Sequence, residues 1–357
     1  MSDTSMQGGA DTLRAGRLRH ALPQRAGIIL LIALLPTALI LALGIGPVRL
    51  APWEILQALI GQADTARIDA IVWQLRLPRA LMAGLIGAAL GVAGALMQGL
   101  FRNPMADPGL VGVTGGAGLS AAVAILTAGT LYPMAWQNYM LPLAAFGGGL
   151  AITLLVQRLA LVQGRTAILL LLLAGIALNA ISMAGIGMMS YLSDDRQLRD
   201  ITFWLLGSVA GASWSKIALL TPFALLPLLL SPWLARALDA LNLGEREAAH
   251  LGVAVERVKR MACLAVALAV GGAVALSGII GFVGLVVPHL VRLMFGPVHR
   301  KLLPLSGLVG AVLMLAADTV ARSIVAPAEL PVGLITSLIG APFFLALLLR
   351  LRREIGI

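Results

Sequence analysis

Two arginines three residues apart, Arg76 and Arg79, stand at the mouth of a long apolar run, "LMAGLIGAALGVAGALMQGLF", that carries no further charge until Arg102. Guanidinium groups at such a place either snorkel to the membrane interface or meet an acidic partner. Asp318 and Arg322 lie four apart near one end of another apolar run, a spacing that lets them pair on a single helix face. Asn179 and Ser182 are among the few polar side chains deep inside an apolar segment. An unpaired amide in hydrocarbon is costly, so Asn179 should face other helices or a watery path. Beside them Met183, Met188 and Met189 offer soft, adaptable apolar surface.

The missing chemistry is as informative. No GxxxxGK[ST] pattern occurs, so the chain has no phosphate-cradling loop of its own. Cys263 is alone and forms neither an intrachain disulfide nor a multi-cysteine metal site. The histidines His20, His250, His289 and His299 all fall toward one side of the topology derived below, leaving none for a metal at the opposite mouth or the midplane. A relay of midmembrane acids, as an ion-coupled carrier would want, is also lacking. No permanently bound cofactor and no catalytic residue is expected; the chain supplies a pathway and its energy comes from elsewhere.

The elements that position these residues follow from composition. Of 357 residues, 59% are hydrophobic and only 12% charged, and the mean hydropathy is +0.96. Soluble domains carry about 25% charge, so this is an all-α polytopic membrane protein. A basic tail over 1–26 precedes a single membrane domain over 27–357. The net charge of +10 has no basic stripe with interleaved aromatics, which argues against nucleic acid as a partner. Segments of the ~17 to 25 apolar residues needed for a span lie near 27–46, 78–101, 109–129, 139–157, 166–191, 214–234, 259–277, 279–296, 304–324 and 331–350. Residues 259–296 must turn back near Ser277 and Gly278 to yield two short spans. The run 201–212, "ITFWLLGSVAGA", is too short to cross and reads as a re-entrant or interfacial helix. With the N-terminus on one side, that side collects 18 of the 26 Lys and Arg against 8 on the other. By the positive-inside rule it is the cytoplasm, and both termini lie there. Arg76, Arg79 and Arg322 then stand outside, against the trend.

Three local patterns carry further meaning. Gly84, Gly87, Gly91 and Gly94 recur at spacings of three and four, which lets another backbone approach closely where lipid offers no hydrophobic drive for helix pairing. In "FRNPMADPGLVG", Pro108 suits a first helical turn with Asp107 as its cap, so this stretch leaves one span, turns sharply in the cytoplasm and starts the next. The cytoplasmic stretch 236–260 alternates charges with small residues: Glu245, Ala248, Ala249 and Gly252 read as a short helix followed by a glycine break, either a solvated loop helix or one offered to a partner's groove.

Four stretches together, "WQLRLPRALMAGLIGAALGVAGALMQGLFRNPMADPGLVGVTGGAG", "LNLGEREAAHLG", "LSGIIGFVGLVVPHLVRL" and "ADTVARSIVAPAELPVGLITSLIGAPFF", resemble the FecCD-type permeases over about residues 70–350. These are membrane subunits of binding-protein-dependent ABC importers for iron-siderophores, heme and vitamin B12. The resemblance implies a ten-helix permease acting as a homodimer in the bacterial inner membrane. Its partners would be two cytoplasmic ABC ATPase subunits, which bind the ATP, and a periplasmic heme- or siderophore-binding protein. It assigns ATPase coupling to Gly244, Glu245, Glu247, Ala248, Ala249, Leu251 and Gly252, and docking of the binding protein to Arg76, Arg79 and Arg322. The translocation path would run along Asn179, Ser182, Met183 and Met188, with Trp204 and Gly207 at its gate. "SDDRQLRDITFWLLGSVAGASW" and "GLFRNPMADPGLVGV" look most like the heme permeases, which makes heme the expected cargo, with ferric siderophore or cobalamin as alternatives. An ion-coupled secondary carrier and a structural scaffold are the competing classes.

Overall fold

The structure, a computed structural model, describes residues 24–131 and 137–355. Most of the expected basic tail, residues 1–23, lies outside the described residues. Helix α1 (Gln24–Gly44) is followed by α2 (Pro52–Leu59) and α3 (Ala66–Ala70), which runs through a π-helical stretch, Ile71–Arg76, into α4 (Leu77–Phe101). Then come α5 (Val113–Leu131), α6 (Gln137–Leu159), a two-stranded antiparallel hairpin (β1 Leu161–Val162, β2 Arg165–Thr166) and α7 (Ile168–Leu192). The chain continues through α8 (Asp195–Leu205), α9 (Trp214–Leu241), α10 (Glu245–His250), α11 (Val255–Ser277), α12 (Val283–Phe295), α13 (His299–Ala321) and α14 (Val332–Ile355).

Among the described residues seven helices are long and apolar enough to cross a membrane, and three shorter apolar ones lie within α5, α12 and α14. Together they fall on the segments that hydropathy marks out. Helix α12 departs from expectation: its 13 residues rise only about 20 Å, short of the ~30 Å hydrocarbon core. It lies along the last turns of α4, where Gln98 Nε2 donates to the carbonyl of Leu285 (3.1 Å) and Arg292 reaches Gln98 Oε1 (3.3 Å). The break before it comes where expected, α11 ending at Ser277 with Gly278 in a left-handed conformation (φ 71°).

Helix α4 is the central post, packed by α9, α11, α12 and α13. Its glycines explain how so many helices reach it. A Cβ on Gly87 would overlap the carbonyl of Gly310, one on Gly91 that of Ser306, and one on Gly94 that of Gly284. Gly84 meets nothing within 4 Å and plays no part in this packing. The turn after α4 ends in a left-handed Arg102 (φ 49°), and Asp107 Oδ1 accepts from the Gly109 amide at 2.7 Å. The capped residues form a 3-10 turn, Pro108–Val111, so α5 starts at Val113 rather than near 109. This turn is tucked into the bundle, not set beyond it: Pro108 packs on Gly284 and Leu110 on Gly175.

Helix α8 begins at Asp195, earlier than the apolar run suggests. Asp194 and Gln197 form a reciprocal capping box, with Asp194 Oδ1 accepting from the Gln197 amide at 2.7 Å and Gln197 Oε1 accepting from the Asp194 amide at 3.2 Å. Its Ile201 seals a small satellite core with Ala122 of α5 and Ile186 of α7. Beyond Leu205 the backbone is irregular and meets two helix ends, the last residue of α11 and the first turn of α14: Ser208 N donates to Ser277 O (2.6 Å) and Gly333 N to Gly207 O (3.3 Å). Non-helical backbone inside a bundle must satisfy its polar groups within protein. Gly207 (φ 70°) and Gly278 permit it, since a Cβ on either would collide with the carbonyl of Ile279 or Trp204 respectively.

Candidate functional site

Charged and polar side chains gather at two ends of the bundle. At the first, Arg76 ends the π-helical stretch and is only 6% exposed. Its guanidinium donates to the carbonyls of Leu43 (2.5 Å), Gly44 (3.2 Å) and Val48. Arg322, 4% exposed, donates to the carbonyl of Ala42. Both cations thus cap the last turn of α1, whose free carbonyls carry partial negative charge. Neither snorkels toward the surface. Arg79 forks onto Asp318, with Nε at 3.0 Å and Nη2 at 2.8 Å, and its Nη1 meets Glu329 Oε2 at 2.8 Å. The pairing of Asp318 with Arg322 allowed by their spacing is secondary: that contact is 3.8 Å, and the bidentate fork goes to Arg79. The three arginines and Glu329 line a cavity of about 340 Å³ with Gln74. Glu329, in the loop before α14 and more exposed than Asp318, is a member of this cluster that sequence reading missed. Its setting between Pro327 and Pro331 marks a rigid loop, but nothing local points to Arg79.

At the opposite end, α10 carries the expected coupling residues. Gly244 adopts φ 134°, open only to glycine at no cost, and the helix runs Glu245–His250 before Leu251 and a left-handed Gly252 (φ 82°). Arg246, Glu247, Ala249 and His250 are exposed, as are Leu243 and Leu251 on either side. Of the small residues expected to be offered to a partner, Ala249 and Gly252 are exposed, whereas Ala248 is buried against the permease itself. Glu245 turns inward to Lys259. The buried Lys259 amine donates to Glu245 Oε2 (2.8 Å), Glu256 Oε1 (3.2 Å) and the Thr166 carbonyl (3.0 Å), while Glu256 Oε2 accepts from the Thr166 amide (2.8 Å). One ammonium therefore ties α10, α11 and the hairpin together. Nothing in the local sequence singles it out, because Glu245 and Thr166 become its neighbours only on folding.

Along α7, Asn179 Nδ2 donates to the carbonyl of Gly109 (3.0 Å), so the amide tethers the 3-10 turn. Ser182 is buried next to Gly115. Met183 and Met188 are 60% and 56% exposed on a helix that buries little of itself within one chain. Trp204 and Gly207 belong to the irregular junction of α8 with the α11–α12 turn and α14, where Gly207 is buried. Among the described residues no group of three or more His, Cys, Asp or Glu side chains could hold a metal ion.

A bundle of apolar helices whose backbones meet at glycines, with the charged clusters of the described residues at its ends, is the architecture of a multi-pass membrane protein. The chain belongs to the FecCD transport family, whose profile matches residues 31–350. It is similar to the hemin transport system permease HmuU of Yersinia pestis, 47% identical over 82% of this chain and 87% of that protein. Likewise it is 43% identical to the vitamin B12 import permease BtuC of Vibrio cholerae over 90% of this chain and 93% of the relative. The iron(3+)-hydroxamate import permease FhuG of Bacillus subtilis is 36% identical over 87% and 92% of the two chains. The fold matches the inward-facing structure of a putative metal-chelate type ABC transporter with a TM-score of 0.79 and 33% identity, covering 91% of this chain and 99% of the other. The protein is accordingly a permease subunit of an ABC importer.

Proposed function

We propose that this permease conducts heme across the bacterial inner membrane, as a homodimer seated on two cytoplasmic ATPase subunits and capped by a periplasmic heme-binding protein. The observation that carries the choice of cargo is the 47% identity to a hemin permease. The 43% and 36% identities to vitamin B12 and iron-hydroxamate permeases keep cobalamin and ferric siderophore as the alternatives, moved by the same mechanism. In this reading all ten apolar helices belong to one domain with both termini in the cytoplasm. ATP binding and hydrolysis act through residues Gly244 to Gly252, where Glu247, Ala249 and Leu251 meet the ATPase and Glu245 and Ala248 hold the segment to the permease.

Met183 and Met188 then face the path between the two copies, with Asn179 and Ser182 behind them and Trp204 and Gly207 forming the gate. Heme needs a broad apolar passage, and the soft, adaptable surface of the exposed Met183 and Met188 supports that. Arg76, Arg79 and Arg322 form the docking rim. Glu329 is its exposed member, Arg79 lies beneath it with a side chain 12% exposed, and Arg76 and Arg322 hold the end of α1 in place behind them. The test is uptake into proteoliposomes containing the permease with its ATPase, supplied with binding protein and either hemin, a ferric hydroxamate or cobalamin. Uptake of hemin alone, dependent on both partners, is expected. Transport of another cargo in preference overturns the choice of heme, and uptake by the permease without partners overturns the mechanism.

A further inference from the structure

Beneath the hairpin, where α6 ends and α11 begins, lies a cavity of about 260 Å³. Its polar lining is Gln157, Arg158, Thr166, Lys259 and Arg260, its apolar lining is led by Leu154 and Leu161, and no carboxylate is among the lining residues. The Lys259 charge is met by Glu245 and Glu256. Arg158 and Arg260 are exposed and, among the described residues, have no ion-pair partner. Gln157 Nε2 is buried and lacks an acceptor, although a buried amide normally finds one. Two unbalanced guanidiniums and an orphaned amide donor ask for an anion rich in oxygen acceptors. The surroundings specify which: the lining residues Leu154 and Leu161 are exposed, and so are Leu155 and Leu159, chain neighbours of the lining Leu154 and Arg158, and, on α11, Leu264 next to the lining Cys263. An anion that carries hydrocarbon fits this arrangement, because basic pockets between helices at a membrane interface take lipid headgroups while the adjoining apolar ridge takes the tails.

We propose that this cavity binds the phosphate of an anionic membrane phospholipid. Arg158 and Arg260 fork onto its oxygens, Gln157 donates a further hydrogen bond, and the acyl chains lie along Leu155 and Leu159. The lipid sits beside the hairpin that Lys259 joins to α10, and it depends neither on the choice of cargo nor on the docking rim.

The test uses the full-length permease in detergent, titrated with phosphatidylglycerol, phosphatidylcholine or inorganic phosphate. Bound lipid is read by native mass spectrometry and stabilisation by Tm. Phosphatidylglycerol should be retained and raise Tm. R158Q and R260Q should each weaken it about 5-fold, and the double variant ~25-fold, on the scale of one basic side chain at an anionic surface. Tm without lipid should stay as in the wild type, since both side chains are exposed and unpaired. R300Q, another exposed arginine away from the cavity, should bind phosphatidylglycerol normally. Equal retention of phosphatidylcholine, an undiminished affinity in R158Q/R260Q, or an equal loss in R300Q would overturn the site. Inorganic phosphate giving the same stabilisation at the same concentration would overturn its assignment to a lipid.

Discussion

Replacing Lys259 by Met isolates the ammonium on which three segments converge, because the two side chains have similar length and the substitution leaves no large void. Lys259 donates to the Thr166 carbonyl at 3.0 Å, Glu245 at 2.8 Å and Glu256 at 3.2 Å, with its side chain 4% exposed. Stranding a buried charge typically costs about 3 to 5 kcal/mol. Here the stranded carboxylates are 41% and 27% exposed and regain water, so the cost falls below that range. The hydrogen bond from the ammonium to the Thr166 carbonyl is taken at about 1 kcal/mol net and each partly solvated ion contact at about 0.5 to 1. The sum is about 2 to 3 kcal/mol, an increase of roughly 30- to 150-fold in the population of the locally opened state. Hydrogen exchange reads this directly, since local openings have their own free energies. Amides of 161–166 and 245–250 should exchange roughly 30- to 150-fold faster in K259M, while those of α4 and α13 keep the wild-type rate. E245Q, which cuts one of the three contacts, should accelerate exchange in α10 only by about 2- to 5-fold. In the assembled importer, K259M should lower uptake per ATP hydrolysed. Exchange within two-fold of wild type in K259M would refute the role of this amine as the tie between the segments.

The remaining expectations concern packing, path and rim. Gly94→Val forces a side chain into the Gly284 backbone, which cannot yield as a flexible side chain would, and should cost about 3 kcal/mol or more in thermal unfolding. Gly84→Ala has nothing within 4 Å and should be neutral or stabilising by up to ~1 kcal/mol, the helix-propensity gain. Asn179→Leu removes the tether to the Gly109 carbonyl, about 1 kcal/mol, and should slow cargo uptake; wild-type uptake in that variant would leave Asn179 a packing residue only. E329Q leaves Arg79 forked on Asp318 and makes the rim more positive by one charge. Association with an acidic binding protein should then quicken several-fold at low salt and return to the wild-type rate at high salt, as screened steering requires. Identical association rates at low ionic strength would count against docking on this rim.

Much of the architecture was legible because it rests on local rules. Runs of apolar residues mark the helices, Gly278 marks the break after α11, and Asp107 with Pro108 marks the capped turn before α5, each from residues within one helical turn of the event. The small-residue spacing of α4 announced close packing, but only the neighbours tell that Gly87, Gly91 and Gly94 take backbone while Gly84 faces open space. Ion pairing lay further out of reach. Asp318 and Arg322 satisfy the i, i+4 rule, yet Arg79, 239 residues away in sequence, takes the carboxylate because α4 and α13 pack side by side and its planar fork fits both oxygens. Arg76 looks like a surface charge in sequence and is an internal cap for α1, since the carbonyls it satisfies become neighbours only after folding. Hydrophobicity and capping belong to the chain itself. Which charge meets which is decided by the order in which helices touch, and that order exists only in the assembled bundle.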